Sequence, residues 1–374
     1  MWYVYMLLCA DGSLYTGSAT DVERRFAAHR SARGAKYTRS HPPLAVVYRE
    51  ACGDKGAALR REAAIKKLPR AEKLKLAEGV TMKETIIDRA YAKSILPPRR
   101  ADGHKGSFGK LLVLGGCALY TGAPYLAASA AEHSGCGLTY LGVPESIWAV
   151  EAAKCAGAMP FPLPEKDGKL CIASLDAMQD KLNACDVVAL GPGLGRGKET
   201  GQLVHALLRQ VKGPLVLDAD GLNALAGCAE RLCERRGRVT ILTPHDGEFA
   251  RLSGRTLEEL SSKDRAAYAC GFARAHGCVV VLKGHRTLIA LPDGTLYRNT
   301  SGTSALSKGG SGDVLTGLIA SLLCQGAGAA EAAALGVWLH GRAGELLEEE
   351  MTAYCASPLA LIERGLPGAF KELC

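Results

Sequence analysis

The chain has 374 residues, of which 48% are hydrophobic, and this ordinary composition indicates a globular protein with room for two domains. Its 14 cysteines form no C-x-x-C pair and no zinc-ligand spacing, which favours small core residues in a reducing compartment over disulfides. The apolar start, Trp2–Leu8, follows no basic residue and is too short to span a bilayer. We therefore expect a cytoplasmic protein without a membrane anchor.

Positive charge is concentrated in the N-terminal part. Residues 1–78 carry 15 Lys and Arg against 8 Asp and Glu, and the totals of 46 and 38 leave 31 against 30 for the rest. Composition therefore divides the chain near residue 80. A basic module of this size suggests a polyanionic partner, most simply nucleic acid. A solvated, lysine-rich surface would account for the charge equally well.

The first elements predict a small α+β module. Trp2–Leu8 and Ser13–Gly17 flank the turn signal Asp11-Gly12, which indicates a β-hairpin. Asp21 can cap a helix that carries Arg25 and His29, and a second helical run covers Lys55–Lys67. We expect these elements to gather around the hairpin.

Five side chains of this module could form one site. A small fold can bring Arg25, His29 and Glu62 beside Tyr5 and Tyr15. Cleavage of a phosphodiester needs a base, a metal ligand and a cation for the developing charge, and this set supplies all three. The alternative is that the tyrosines are strand residues that pack on a helix.

These residues carry a family resemblance. Tyr3-Val4-Tyr5 and Tyr15-Thr16-Gly17, with Arg25, His29 and Glu62, resemble the GIY-YIG endonucleases over about residues 1–78. The resemblance implies DNA as a partner, Tyr5, Tyr15 and His29 in the active site, stabilisation of the phosphorane by Arg25 and a divalent cation at Glu62. Tyr3 replaces the glycine of the family motif, and Ser18 stands where some relatives have a lysine. These two departures from the family motif bear on whether the module is an active nuclease more than on whether it has the family's fold.

Residues 79–100 predict a linker with at most one lead-in helix, because Pro97-Pro98 stops helical structure. A second domain is expected over residues 101–374. Its apolar runs KLLVLGG, LTYLGVP, DVVALGPG, PLVLDADG, VTILTPH and VVVLKG alternate with helical stretches. This alternation is typical of an α/β fold, with a mainly parallel sheet covered by helices.

Polar and glycine residues follow four of these strands. In open α/β sheets, ligands lie beyond the carboxyl ends of the strands. The sequence therefore predicts a long polar cleft at one sheet edge. The four segments are Gly191–Gly195, Asp218–Asn223, Thr243–Glu248 and Lys283–Thr287.

The stretch Asn299–Gly317, NTSGTSALSKGGSGDVLTG, predicts an anion site. Gly309, Gly310 and Gly312 can expose several backbone N–H groups to one phosphate, and the following apolar periodicity predicts a helix that begins there. Asp313 would be repelled by phosphate unless it takes a proton from the attacking group, so we interpret it as a general base. The alternative is that Asp313 only caps the helix.

Two common nucleotide-binding motifs are excluded. The glycines from 191 to 197 do not form G-x-G-x-x-G, because Arg196 occupies the last place, and no G-x-x-x-x-G-K-[ST] occurs. The nucleotide must therefore be held in another way. The segment G-G-S-G-D at 309–313 resembles ribokinase-like enzymes.

The resemblance extends to the ADP/ATP-dependent NAD(P)H-hydrate dehydratases. GPGLG, DADGLNAL, TPHDGE, LKGHRT and NTSG…GGSGDVLTG occur in that family's order, over about residues 84–374. The resemblance implies phosphorylation of the ring hydroxyl of S-epimer hydrated NADH or NADPH, followed by loss of phosphate. An adenine nucleotide, ADP or ATP, would be the donor, Mg²⁺ the cofactor and a homo-oligomer the assembly. The bacterial-looking N-terminal module favours ADP as the donor.

The same resemblance assigns roles to residues. It implies Asp313 as the base, and contacts to the hydrated dinucleotide from Ala123, Gly193, His245 and Asp313. The adenine nucleotide would contact Lys283, Gly284, His285, Arg286, Thr287 and Gly312, and Gly310 would help Gly312 hold the transferring phosphoryl group.

Several acidic and histidine side chains of the cleft could instead serve the fold. Glu248 is a candidate partner for Mg²⁺ or its waters, or a capping acid, and His245 could be a satisfied hydrogen-bonding residue. Asp218 and Asp220 are weaker candidates for the site, because their only role could be to cap the following turn. The alternative functions are a ribokinase-like small-molecule kinase, or a nucleic-acid-binding module with the α/β part as its scaffold.

Overall fold

The computed structural model describes residues 1–9, 13–31, 33–77, 84–261 and 265–374. The chain divides into two compact units, one of residues 1–83 with 293–295 and one of residues 84–292 and 296–374. Within the described ranges, no helix has both the length and the apolarity that a membrane span needs.

The first unit is a three-stranded antiparallel sheet with helices. The strands β1 (Trp2–Cys9), β2 (Leu14–Ala19) and β3 (Pro43–Gly53) lie in the order β2-β1-β3. The predicted hairpin of β1 and β2 is confirmed, and its turn signal Asp11-Gly12 lies outside the described residues. The helices are α1 (Val22–Arg30), α2 (Lys36–Ser40), α3 (Lys55–Lys67) and α4 (Arg70–Ala77).

Local sequence accounts for the helices of this unit. Asp21 accepts a hydrogen bond from the Arg24 N–H at 2.9 Å and so caps α1. Asp54 caps α3 in the same way through the Ala57 N–H at 2.8 Å. Val22 and His29 are the buried side chains of α1, which directs one face of that helix toward the sheet.

The second unit contains a ten-stranded sheet in the order β4-β15-β14-β13-β12-β11-β10-β5-β6-β7. Neighbouring strands are parallel except at β13–β14 and β14–β15. The mainly parallel α/β sheet that the sequence predicted is confirmed, and its six apolar runs form β5, β6 and β10 to β13. The strands are β4 (Glu84–Ile87), β5 (Lys110–Leu114), β6 (Leu138–Pro144), β7 (Met159–Leu163), β10 (Val187–Leu190), β11 (Leu215–Leu217), β12 (Thr240–Leu242), β13 (Val279–Leu282), β14 (Leu288–Ala290) and β15 (Leu296–Asn299), with a separate ribbon of β8 (Glu165–Lys166) and β9 (Lys169–Leu170).

Helices lie between these strands and follow the last of them. They are α5 (Arg89–Ser94), α6 (Gly122–His133), α7 (Glu145–Lys154), α8 (Ser174–Ala177), α9 (Gln179–Ala184), α10 (Lys198–Gln210), α11 (Ala219–Asn223), α12 (Asp246–Ser253), α13 (Leu257–Leu260), α14 (Arg265–His276), α15 (Ser311–Cys324), α16 (Ala329–Cys355), α17 (Pro358–Ala360) and α18 (Leu366–Lys371). Short 3-10 helices cover Lys105–Phe108, Ala229–Arg235 and Ser304–Leu306, and a π-helical turn covers Leu361–Gly365.

Helix α15 lies in the centre of the core. Val314, Leu318 and Ile319 are fully buried, in agreement with the helical spacing in the sequence. Gly317 lets α15 approach α6 closely, because a Cβ placed on it would lie 1.9 Å from the carbonyl oxygen of Ala127. The packing therefore fixes the start of α15 relative to the start of α6.

The segment assigned to a linker contributes to the second unit. Residues 84–87 form the edge strand β4, which pairs with β15 in parallel. Asp88 then caps α5 by accepting from the Tyr91 N–H at 2.8 Å. The sequence pattern missed this strand because it is only four residues long and its partner lies more than 200 residues away.

Candidate active site

The glycine-rich loop ends at the start of α15, as the sequence predicted. Gly310 is the residue before the helix and has a left-handed backbone with φ of 96°, a conformation that glycine adopts without steric cost. Asp313 lies in the first turn. The loop thus brings unpaired N–H groups and a carboxylate to one helix start.

His340 on α16 supports this turn. Its Nε2 lies 3.1 Å from the Ser311 Oγ and 2.9 Å from the Ser311 carbonyl oxygen. Burial lowers the pKa of His340 to about 4, so the ring is neutral at physiological pH. His340 was not predicted from the sequence, because a histidine within a long apolar helix gives no local signal of its partner.

Asp313 lies among other charged side chains. Burial and then the nearby Asp218 raise the pKa of Asp313 to about 8, although Lys283 opposes the shift. A carboxyl group that titrates near neutral pH can exchange a proton with a substrate. This position therefore suits a general base.

Lys283 bridges the acids of the site. Its Nζ donates to the Asp218 Oδ1 at 2.9 Å and lies 3.9 Å from the Glu248 Oε2. Burial disfavours its charge, but Asp218 and Glu248 outweigh that effect and raise the pKa of Lys283. A Cβ placed on Gly312 would lie 3.1 Å from this Nζ. The ammonium group of Lys283 therefore lies close to Gly312 in the first turn of α15.

Asp218 is more than a turn cap. It is 1% exposed, and its Oδ2 accepts from the Thr316 hydroxyl at 2.7 Å, while its side chain makes no capping bond to α11. Asp218 thus ties Lys283 to α15 one turn beyond Asp313. Asp220 instead accepts from the Gly195 N–H and the Asn223 amide, both at 3.0 Å.

His245 and Glu248 form a capping box at the start of α12. The His245 Nδ1 accepts from the Gly247 N–H at 3.0 Å, and the Glu248 Oε2 accepts from the His245 N–H at 2.9 Å. Glu248 therefore does act as a capping acid, and its carboxylate also faces Lys283. Within the described part of the chain, no group of three or more His, Cys, Asp or Glu side chains is placed to hold a metal ion.

A cavity of about 710 Å³ joins most of the candidate residues. Those that line it are His245, Lys283, Gly284, His285, Arg286, Thr287, Gly310, Gly312 and Asp313, and the residues that the sequence analysis did not single out individually include Asn299, Ser301, Ser304, Lys308 and His340. Ala123 and Gly193 do not line this cavity, but they lie together, since a Cβ placed on Gly193 would be 3.1 Å from the Ala123 Cβ.

The candidate nuclease residues of the first unit also cluster. The Tyr5 hydroxyl and the His29 Nε2 share a hydrogen bond of 3.0 Å, and the Tyr15 ring centroid lies 5.0 Å from that of His29. Burial and then Tyr15 raise the pKa of Tyr5 to about 12, against the influence of Arg25. Arg25 bonds to Tyr5 and the charge of Glu62 also acts on it, so all five predicted side chains are brought near one another.

Glu62, the fifth, has two partners in the structure. Its Oε2 accepts from the Ser18 hydroxyl at 2.7 Å, and its Oε1 lies 2.6 Å from the Lys66 Nζ. Thr38 supports the site from the other side, with its Oγ1 2.6 Å from the His29 Nδ1. The sequence predicted neither the support from Thr38 nor the partners of Glu62, because residue spacing alone does not show which side chains meet across a small fold.

Comparison with known protein families agrees with this division. Residues 111–365 match the family model described as NAD(P)H-hydrate dehydratase, and residues 1–75 match the GIY-YIG catalytic domain.

Curated relatives match the larger part of the chain. A bifunctional NAD(P)H-hydrate repair enzyme of Moorella thermoacetica is 45% identical over 261 residues, which cover 70% of this chain and 49% of the relative. An ADP-dependent (S)-NAD(P)H-hydrate dehydratase of Neisseria meningitidis is 44% identical over 256 residues, which cover 68% of this chain and 82% of the relative. The chain thus spans about half the length of the bifunctional relatives.

A solved structure supports the same relationship. The ADP/ATP-dependent NAD(P)H-hydrate dehydratase of Bacillus subtilis, co-crystallised with ATP/Mg²⁺, superposes with a TM-score of 0.66 at 33% identity. The match covers 79% of this chain and 100% of that one.

Proposed function

This chain belongs to the NAD(P)H-hydrate dehydratase family, and we propose that its second unit dehydrates the S epimer of hydrated NADH or NADPH with a phosphoryl group from ADP or ATP. The observation that carries the proposal is the arrangement of Asp313, Lys283 and the glycine loop around one cavity of about 710 Å³. Hydrated NADH and hydrated NADPH derive from cofactors that are used inside the cell. We therefore infer that the protein acts in the cytoplasm.

The first step is transfer of a phosphoryl group. Asp313 takes the proton of the ring hydroxyl, the oxygen forms a bond to the terminal phosphorus, and the bond from that phosphorus to the rest of the nucleotide breaks. The N–H groups of Gly310 and Gly312, with Lys283, stabilise the charge on the transferring oxygens. The nucleotide leaves as AMP from ADP, or as ADP from ATP.

The second step restores the ring double bond. The C–O bond to the new phosphate breaks, and the adjacent ring carbon loses a proton. Phosphate leaves far more readily than hydroxide, which is why a kinase-like site can perform a dehydration. His245, Ala123 and Gly193 are proposed to orient the hydrated ring.

Mg²⁺ fits this site as a partner of phosphate. Mg²⁺ commonly binds one or two carboxylates together with substrate phosphates and water, and the Glu248 carboxylate lies 3.9 Å from the Lys283 Nζ at the cavity. When bound, it would neutralise charge on the nucleotide phosphates. The residues available therefore suit the cofactor without a dedicated protein cage.

The test is recovery of the near-ultraviolet absorbance of reduced nicotinamide. Purified protein would be given hydrated NADH, Mg²⁺ and either ADP or ATP. We expect recovery only when nucleotide is present, and the better nucleotide identifies the donor. If absorbance does not recover while a stable phosphate ester accumulates, the protein is a small-molecule kinase and the proposal fails.

A second proposal concerns the first unit. We infer that residues 1–77 cleave DNA, since Tyr5, Tyr15, Arg25 and His29 share one site and this part of the chain is basic. In this proposal Glu62 would bind the divalent cation in exchange for Lys66. Incubation of DNA with Mg²⁺ and the Glu62→Gln protein, beside the wild type, tests it. Salt-sensitive binding without cleavage would instead indicate a nucleic-acid-binding module.

A further inference from the structure

A second cavity of about 570 Å³ lies beside the glycine loop. Its walls are Gly122, Tyr125 and Leu126 from the first turns of α6, Gly309 from the loop, the segment 357–359 and Lys154 from the end of α7. This volume is within the usual range of ligand pockets. Apart from Gly309 of the glycine loop, none of the residues that line it was assigned a role above.

Lys154 is fixed at this cavity by two protein acceptors. Its Nζ donates to the Thr121 carbonyl oxygen at 3.0 Å and to the Glu151 Oε1 at 2.9 Å. An ammonium group has three N–H donors, so one remains for a ligand. Lys154 is the only charged residue among those that the structure places on the cavity wall.

Glu151 accounts for the fixed position of Lys154. It is fully buried, and within the described structure its Oε2 has no hydrogen-bond partner. An ion pair between a partly exposed lysine and a buried carboxylate with one unsatisfied oxygen contributes little to stability. We therefore expect this pair to be retained because it holds the lysine at the cavity.

The second cavity adjoins the candidate active site. Gly309 lines the second cavity and the next residue, Gly310, lines the first. Ala123, which follows Gly122 of the cavity wall, lies against Gly193. Ala123 and Gly193 thus lie beside the second cavity, while His245 and Asp313, the other residues expected to contact the hydrated dinucleotide, line the first.

We propose that the second cavity binds the adenosine phosphate half of the hydrated dinucleotide, with Lys154 donating a hydrogen bond to its phosphate. The inference rests on the proposed dehydratase function. A lysine donor suits a phosphate, and the ring of Tyr125 with Leu126 and Pro358 provides apolar and aromatic surface for a purine. The phosphoryl donor is assigned elsewhere, because Lys283–Thr287 line the first cavity.

The test compares two substrates that differ only in this half. They are hydrated NADH and the hydrated form of reduced nicotinamide mononucleotide, which lacks the adenosine phosphate. The variant is Glu151→Gln with Lys154→Met, which removes both charges and leaves no buried unpaired ion. We expect KM for hydrated NADH to rise about tenfold, kcat to stay within about twofold, and KM for the mononucleotide to stay unchanged.

Controls separate this idea from loss of folding and from failure of the proposed function. Lys371→Met removes an exposed lysine of α18 and should change neither KM. Leu359→Glu, at a residue 42% exposed, places a negative charge at the cavity and should also raise KM for hydrated NADH alone. Equal changes with both substrates, or none with either, would overturn the proposal. No turnover of either substrate by the wild type would instead refute the dehydratase function.

Discussion

The carboxylate of Asp313 is at the centre of the proposed chemistry because its surroundings make its proton affinity unusual. Burial and Asp218 raise its pKa to about 8, and Lys283 limits the rise. The other charged groups that act on it are Glu248 and Asp220. A base with this pKa is mostly protonated at pH 6 and mostly ionised at pH 9.

The first prediction follows from that pKa. We expect kcat/KM for hydrated NADH to rise about tenfold per pH unit below pH 8 and to level off above it, because only ionised Asp313 accepts the proton. Initial rates from pH 6 to 9.5 at saturating nucleotide provide the measurement. A profile that is flat between pH 6 and 8 would exclude Asp313 as the base.

Asp313→Asn should separate catalysis from stability. We expect turnover to fall at least about 100-fold, the usual contribution of a general base, while nucleotide binding persists. In the wild type, the contribution of Asp313 to stability falls as pH rises from about 4 to 8, because the folded state binds the Asp313 proton more tightly than the unfolded state does. The neutral amide does not titrate, so the variant should melt at a higher temperature than the wild type at pH 8 and lose this advantage at pH 4. Equal melting temperatures at pH 8 would contradict the assigned environment.

Arg235 illustrates a residue whose role is structural. It is 1% exposed and donates to the Thr240 hydroxyl at 2.8 Å and to four carbonyl oxygens, those of Leu208, Val211, Gly213 and Val239. Burial lowers the pKa of Arg235 to about 10, so it stays charged at neutral pH.

Arg235→Met should therefore reduce the free energy of unfolding by about 3 kcal/mol or more, since buried acceptors lose their donor. Urea denaturation measures this change. Arg231→Met is the matched control, because Arg231 is 37% exposed and lies 3.5 Å from Glu234, and it should cost less than about 1 kcal/mol. Similar losses in the two variants would show that the buried network adds nothing.

Among the secondary-structure elements, the close approach of α15 and α6 determines where the site residues lie. Gly317→Ala would place a Cβ 1.9 Å from the Ala127 carbonyl oxygen, which forces the two helices apart. We expect a loss of about 1–3 kcal/mol in unfolding free energy and a lower kcat, because α15 carries Asp313 and α6 carries Ala123.

Gly201→Ala on α10 is the matched control for this prediction. A Cβ there meets nothing within 4 Å, so the same substitution should stabilise the protein by about 0.5–1 kcal/mol. Chemical denaturation of both variants, with activity assays, measures the contrast. If the Gly317→Ala protein is as stable and as active as the Gly201→Ala protein, the close contact between α15 and α6 determines neither stability nor activity.

Sequence periodicity predicted the elements whose signal is local. Lys55–Lys67 matches α3 in both bounds, and the glycine loop leads into α15 where the apolar spacing indicated. The pairing of β4 with β15 and the bond from Thr316 to Asp218 join residues about 100 to 200 positions apart. Such contacts leave no periodic pattern, which is why the strand in the expected linker and the bond between Thr316 and Asp218 were missed.

At the scale of the whole molecule, the chain combines two units with separate candidate sites. Every residue proposed for the dehydratase, from Ala123 to Asp313, belongs to the second unit. Each unit also has its own buried core, with Val4, Met6 and Ile65 in the first and the sheet around α15 in the second. This division suggests that the two proposed activities can be tested independently.

Two fragments test where the second unit begins. The fragment of residues 84–374 keeps β4 and α5, and we expect it to restore hydrated NADH with a kcat within about twofold of the full chain. The fragment of residues 101–374, which starts at the boundary expected from sequence, removes the fully buried Ile87. It also leaves the edge of β15 unpaired, which favours aggregation.

The shorter fragment should also lose activity, because β15 leads directly into the loop of the site. In the full chain the Ile87 carbonyl oxygen accepts from the Thr300 hydroxyl at 2.8 Å and from the Thr300 N–H at 3.3 Å. Asn299 and Ser301, on either side of Thr300, line the first cavity. Thermal melting and absorbance recovery on both fragments decide the matter. If residues 101–374 melt at the same temperature and turn over at the same rate as residues 84–374, then β4 is dispensable and the second unit begins after it.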